Sequence, residues 1–438
     1  MARAGLALAL ALAASAAGAE PRMALSGHGG PIMDIAVSPD GARALTGSFD
    51  YSVGLWTLGD ESPPRWLEGH DAAVNFVEFL GNDRALSAGD DFAVILWDLA
   101  AGAPLRRFEG HRGKVTAARV APDGETLASA SWDGSVRLWS LSTGAPRGEL
   151  RGHASGVNDL VWAEGGRRLY SAGQDGVILE WDAAAGAPLR TLARHGFGVN
   201  KLLIDEARGW LAYGAVDGGT RALDLGSGAE LADLTLERRP ILALARTRDG
   251  ALVAIGDGEG YIMVVETEGW AIERDFRAAL RGPIWALDFT ADRSAVIAGG
   301  IADEARRFPI GAAEARPRFA AGPRSFQVDP ARVSNGERQF MRKCSVCHEL
   351  GADGKRRAGP PLHGLFGRRA GSLPGYAYSD ALKGSDIVWG DATIDRLFDL
   401  GPEHVTPGSK MPMQRIASPD DRAELIDFLR RETARSAN

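Results

Sequence analysis

Cysteine is nearly missing from this chain: 438 residues hold two, Cys344 and Cys347, both inside one short run. No disulfide framework can be expected, and a structural zinc site is excluded because no second Cys or Cys/His pair follows to complete four ligands. A thioredoxin-like dithiol would open a helix inside a βαβ unit, and no such pattern surrounds Cys344. Positive charge is also short: 50 Lys and Arg against 57 Asp and Glu leave a net charge of -7. That balance argues against nucleic acid or an anionic membrane as partner of the whole molecule. After the first nineteen residues no apolar run is long enough to cross a bilayer. The length itself exceeds what one hydrophobic core usually supports and suggests two or three domains.

What is there centres on Lys343-Cys344-Ser345-Val346-Cys347-His348. This C-x-x-C-H run reads as a c-type haem attachment site. The two-residue gap sets both thiols on one helical turn, where they can bond to the two vinyl groups of one porphyrin, and His348 then offers its imidazole to the iron. Export is expected from the N-terminus. Arg3 precedes an apolar run from Leu6 to Ala14, and Ala17-Gly18-Ala19 supplies a small-residue cleavage site. The expectation is a signal peptide over 1–19, cut after Ala19. The alternative, an uncleaved anchor, is disfavoured by a run this short and Ala-rich. Haem c is attached outside the cytoplasm, so the two signals agree; Ala, Gly and Arg enrichment suits a high-GC bacterium, and the expected compartment is the periplasm of a Gram-negative cell.

From Gly27 the sequence repeats at about forty residues. Gly-His pairs at Gly27-His28, Gly69-His70, Gly110-His111 and Gly152-His153 are each followed by an Asp: Asp50, Asp91, Asp133 and Asp175. A hydroxyl stands four residues before each Asp (Thr46, Ser87, Ser129, Ser171) and a Trp six after it (Trp56, Trp97, Trp139, Trp181). These residues resemble the WD-repeat β-propeller family, in which such a set is buried and hydrogen-bonded. A degenerate unit follows, with His195, Asp217 and Leu223 in the Trp position. Two more units keep only strands, beginning at Ile241 and Ile284. Seven blades are therefore expected over 20–320. Outer-strand phrases number eight, counting Pro21 to Leu25 and Pro317-Arg318-Phe319, so either end could close the ring.

A linker is expected over 321–333, with Pro323 and Pro330, and a small all-α domain over 334–438. Ser334 with Glu337 should cap its first helix, and Ser418-Pro419-Asp420-Asp421 should open its last. Gly359-Pro360-Pro361-Leu362-His363-Gly364-Leu365-Phe366-Gly367-Arg368, Pro374-Gly375-Tyr376-Ala377-Tyr378, Trp389 and Pro407-Gly408-Ser409-Lys410-Met411 resemble class I cytochromes c of the mitochondrial type and their bacterial relatives. The resemblance implies one covalent haem c on Cys344 and Cys347, His348 as proximal and Met411 as distal iron ligand, with Met413 the competitor. It implies the Pro360 carbonyl as acceptor for the second nitrogen of His348, and Arg368, Tyr378 and Trp389 as propionate partners. It departs at Leu382 and Leu397, where relatives commonly place Asn and Tyr.

The function these readings support is a periplasmic one-electron carrier whose propeller docks redox protein partners, with no catalytic residues assigned. Two alternatives stand beside it: a redox enzyme whose propeller holds a second cofactor or substrate, and an assembly or interaction factor for a respiratory complex. A copper cluster in the propeller is excluded by the eight histidines, five of them claimed by the repeat. From Ala331 onward 17 Lys and Arg face 14 Asp and Glu, so the haem segment is basic on an acidic chain. Arg342, Lys343, Lys383 and Lys410 are candidates to ring the haem edge and steer an acidic partner.

Overall fold

The computed structural model describes residues 24–236, 240–279, 282–311, 333–345, 347–351, 357, 359–376, 378–406, 409, 411, 415–416 and 418–435. The expected signal peptide, the phrase at Pro317, most of the linker, and Pro407, Gly408, Lys410 and Met413 lie outside them.

Seven four-stranded antiparallel sheets form the N-terminal part. Blade 1 runs Ile32–Val37, Arg43–Ser48, Ser52–Thr57 and Arg65–Glu68, and blades 2 to 6 repeat it over 74–108, 115–151, 157–194, 199–233 and 241–277. Blade 7 settles the question of closure. Its three strands Ile284–Phe289, Ala295–Gly300 and Glu304–Pro309 take their fourth from the other end of the chain, with Ala24–Ser26 pairing antiparallel to Glu304–Pro309. The N-terminal phrase thus supplies the missing outer strand, and both termini of the ring are tied by one ladder.

The repeated residues explain why blades form. In blades 1 to 4 the indole Nε1 donates to the hydroxyl of Thr46, Ser87, Ser129 or Ser171 at 2.7–2.9 Å. That hydroxyl lies 2.6–2.8 Å from the histidine Nε2. An indole can only donate, so the hydroxyl accepts there and gives its own proton to Nε2, which leaves the imidazole proton on Nδ1. Nδ1 meets the Asp carboxylate at 2.8–3.1 Å, and the same carboxylate accepts the amide of the residue after the histidine. Removing one member strands a buried polar group, at a cost of about 1–3 kcal/mol.

Blade 5 solves the same problem with different residues. His195 Nε2 bonds Asp217 at 2.8 Å while Nδ1 meets the Tyr213 hydroxyl at 3.1 Å, so the ring is reversed and a phenol replaces the Ser or Thr. Tyr213 stands four residues before Asp217, the register in which the other blades carry their hydroxyl.

Side chains on the innermost strands stitch neighbouring blades. The Val37 amide donates to Asp288, that of Val77 to Asp34 and that of Leu202 to Asp159, at 2.7–2.9 Å. Asn75, Thr116, Asn158 and Asn200 donate to the backbone carbonyls of Val115, Val157, Val199 and Ile241. Burial lifts the Asp288 carboxyl to about 7, against the pull of the Val37 and Phe289 amides.

Burial pushes Asp50 and Asp91 the same way, but hydrogen bonds from His28, Ser52 and the Gly29 amide to Asp50, and from His70 and the Asp71 amide to Asp91, prevail and hold both at about 2. The signs are opposite. The Asp50 and Asp91 contributions are present above the ordinary 3.8 and are lost as pH falls towards 2. The raised Asp288 binds its proton more tightly folded than unfolded, so its contribution is full below 3.8 and is lost as pH rises through 7. The melting temperature of the propeller is expected to fall as pH rises from 3.8 to 7, and Asp288→Asn should flatten that fall. An unchanged slope in the variant would contradict the assignment.

The C-terminal part is built from α1 (Asn335–Lys343), α2 (Asp380–Lys383), α3 (Asp391–Leu400), α4 (Pro402–Val405) and α5 (Pro419–Arg435). Ser334 Oγ caps α1 by accepting the Glu337 amide at 3.2 Å, and Ser418 Oγ does the same for α5 from Asp421. Helices α1 and α5 cross closely at Gly336, where a Cβ would lie 2.9 Å from that of Phe428 and overlap the Glu424 carbonyl. Phe340 and Phe428 pack beside this crossing with ring centroids 5.5 Å apart. Leu397, Phe398, Leu425 and Leu429 complete the core.

Candidate haem site

Helix α1 runs directly into the motif. Cys344 N donates to Phe340 O and His348 N to Cys344 O, both at 2.8 Å, so one further turn carries Cys344, Cys347 and His348 together. The following loop folds back over this turn. Gly359 N donates to Cys347 O at 2.6 Å and Leu362 N to Glu349 O at 2.7 Å. This brings the Pro360 carbonyl to 2.7 Å from His348 Nδ1. A carbonyl can only accept, so Nδ1 carries the proton and Nε2 keeps its lone pair. Burial lowers the His348 pKa, and the bond to Pro360 only partly opposes it, which favours the neutral imidazole a metal needs.

Gly359 is required by this geometry. A Cβ there would overlap the His348 ring, standing 2.6 Å from Nδ1. Burial pushes the thiols up, Cys344 to about 12 and Cys347 to about 11, so both are protonated until they react.

A cleft opens beside the motif, and the eight residues assigned to the haem by sequence line it: Cys344, Cys347, His348, Pro360, Arg368, Tyr378, Trp389 and Met411. Short backbone pairings hold two of them side by side, with Gly367 N donating to Trp389 O at 2.8 Å and Trp389 N to Arg368 O at 2.9 Å. Arg368 also donates to the carbonyls of His363 and Pro361, so its guanidinium braces the loop. Leu382 and Leu397, the two departures, both line the cleft and make its wall apolar there. Met411 packs half-buried on the domain core. Lys343 lines the cleft; the Arg342 side chain lies outside the described residues.

Two further aromatic residues of the wall had been given no role from the sequence. Tyr376 packs edge-on against Tyr378 at 4.7 Å between ring centroids. Tyr51 comes from blade 1 of the propeller. Near it Arg357, paired with Glu349 at 2.7 Å, donates to the Gly29 carbonyl of the propeller at 2.7 Å.

Two thiols one turn apart, a neutral imidazole fixed from behind and an otherwise apolar cleft fit a covalently bound porphyrin with axial histidine. Fold and site together define a propeller joined to a c-type haem domain. Residues 19–57, 61–98, 102–140 and 144–182 match the family described as WD domain, G-beta repeat, and residues 333–431 match Cytochrome c. The chain is 40% identical to cytochrome c of Sesamum indicum over 109 residues, 25% of this chain and 96% of that protein. It is 43% identical to cytochrome c of Arabidopsis thaliana over 101 residues, 23% and 89% of the two chains. Against cytochrome c2 of Rhodomicrobium vannielii the identity is 41% over 91 residues, 21% and 72%. The chain belongs to the cytochrome c family through its C-terminal domain, which follows a WD-repeat propeller and carries covalent haem c.

Proposed function

We propose that this protein is a periplasmic one-electron carrier with a His348/Met411 haem, tethered to a propeller that docks its redox partners. The observation that carries the reading is the single cleft that gathers Cys344, Cys347, His348 and Met411. Haem c supplies reversible one-electron chemistry at its iron, and a thioether ligand favours the reduced state. The chain's own residues do the rest. Cys344 and Cys347 anchor the macrocycle, His348 is held in one tautomer by Pro360, and the leucines at 382 and 397 keep the wall apolar. Tyr378, Trp389 and Arg368 are the proposed propionate partners. The small helical domain, read as spanning 334–438 after a linker, needs no moving part for this task.

The propeller histidines support the carrier over the enzyme. His28, His70, His111, His153 and His195 each spend both ring nitrogens on neighbouring side chains, which leaves them no lone pair for a metal. Among the described residues no group of three or more His, Cys, Asp and Glu is placed to hold a metal ion. The docking role rests on the interaction function general to WD-repeat propellers.

Export and charge steering are tested together. Periplasmic fractionation followed by N-terminal sequencing should give a mature chain starting at Glu20; a haem-free cytoplasmic product would refute export. With an anionic inorganic oxidant, the electron-exchange rate should fall as ionic strength rises, because Lys343 and Arg368 line the cleft. A rate independent of salt would remove the steering role.

A further inference from the structure

In blades 1 to 6 the turn between the second and third strands is built alike, and it ends on a residue whose amide donates to the carbonyl three positions back. In blades 3 to 6 that residue is Gly134, Gly176, Gly218 or Gly260, each with φ between 73° and 94°. Blade 1 places Tyr51 there at φ 73°, and blade 2 places Phe92 at φ 65°. A bulky residue is strained in this region, and such strain persists where the surroundings hold it. Phe92 is 44% exposed, whereas Tyr51 lines the haem cleft of the other domain. Burial raises the Tyr51 pKa, with Cys347 and Tyr376 among the groups that reinforce the shift. Arg357 ties the same region to the propeller through the Gly29 carbonyl, in the loop beside the blade 1 tetrad.

We propose that the propeller completes the haem cleft: Tyr51 is a positioning residue of the haem site, covering the cleft beside Cys347 and keeping water from it. The electron carrier is then a property of the two domains together. This inference rests on the cleft being the haem site, which the parent protein tests separately by carrying covalent haem.

Cover by an aromatic ring disfavours the more highly charged ferric form, so uncovering the cleft should lower the midpoint potential. Tyr51→Gly is the informative variant, because four sister turns already carry glycine at this φ. The full-length holoprotein with Tyr51→Gly should melt no earlier in its propeller transition than the parent. It should show a lower midpoint potential and a several-fold faster reaction with a small anionic reductant. Tyr51→Phe, which keeps the ring, should retain the parental potential and rate. A folded Tyr51→Gly holoprotein with parental potential and parental rate would overturn the proposal. A parent without covalent haem would instead overturn the site beneath it.

Discussion

Gly359→Ala is expected to keep covalent haem yet lose the native axial histidine. The added methyl would stand 2.6 Å from His348 Nδ1 and overlap the ring further along, while Gly359 itself is pinned by its amide to Cys347 O. Neither wall can yield easily, because the imidazole is also tied to the Pro360 carbonyl. Overpacking of this kind costs about 3 kcal/mol. The ring gives way by breaking its bond to Pro360, and with it the fixed tautomer. Absorption and magnetic circular dichroism should report a shift from low-spin to high-spin or mixed-spin iron, with the haem still resisting acid-acetone extraction. A variant with parental spectra would show that Gly359 does not cradle the ligand.

Met411→Ala should leave attachment and fold intact and change the electronics. Met411 is half-buried on the cytochrome core and lines the cleft, so its loss removes a little packing and one soft donor. Loss of a thioether ligand lowers the midpoint potential by on the order of 0.1–0.3 V, within the wide span that axial ligands control. The weak red-edge sulfur-to-iron charge-transfer band should vanish with it. If Met413 were the ligand, Met411→Ala would keep both the band and the potential, and Met413→Ala would abolish them.

Much of the fold was legible because burial imposes fixed spacing. A histidine sealed under a blade must meet its Asp and hydroxyl at set registers, and those registers repeat in sequence for four blades. Blade 5 looked degenerate because Leu223 holds the Trp position, although Tyr213 stands in the register of the missing hydroxyl. Blades 6 and 7 lack the buried set, so only strand patterning marked them. Ring closure was ambiguous, since two outer-strand phrases were equally good and pairing with Glu304–Pro309 is a long-range choice. The stitching by Asp34, Asp288, Asn75 and Thr116 could not be read, because it is divided between Asp side chains that accept amides and Asn or Thr side chains that donate to carbonyls, at different registers and with no common letter.

The haem site was legible for a different reason. Cys344, Cys347 and His348 are set by one turn of helix, so their spacing is local. Pro360, Arg368, Tyr378, Trp389 and Met411 entered through family resemblance, and the fold gathers them around one cleft. Tyr51 lies in another domain, and no local pattern links it to the haem motif. A signal was nonetheless present: Asp133-Gly134, Asp175-Gly176 and Asp217-Gly218 make Asp50-Tyr51 and Asp91-Phe92 the two exceptions.

A chain with one haem and no further redox cofactor holds a single one-electron centre, which an anaerobic reductive titration of the purified holoprotein measures. Electrons taken up per chain would be counted while the haem spectrum is followed. One electron per chain is expected, accompanied throughout by a low-spin, methionine-ligated spectrum. Uptake of more than one electron, or a second chromophore, would contradict it and place a further cofactor in the propeller.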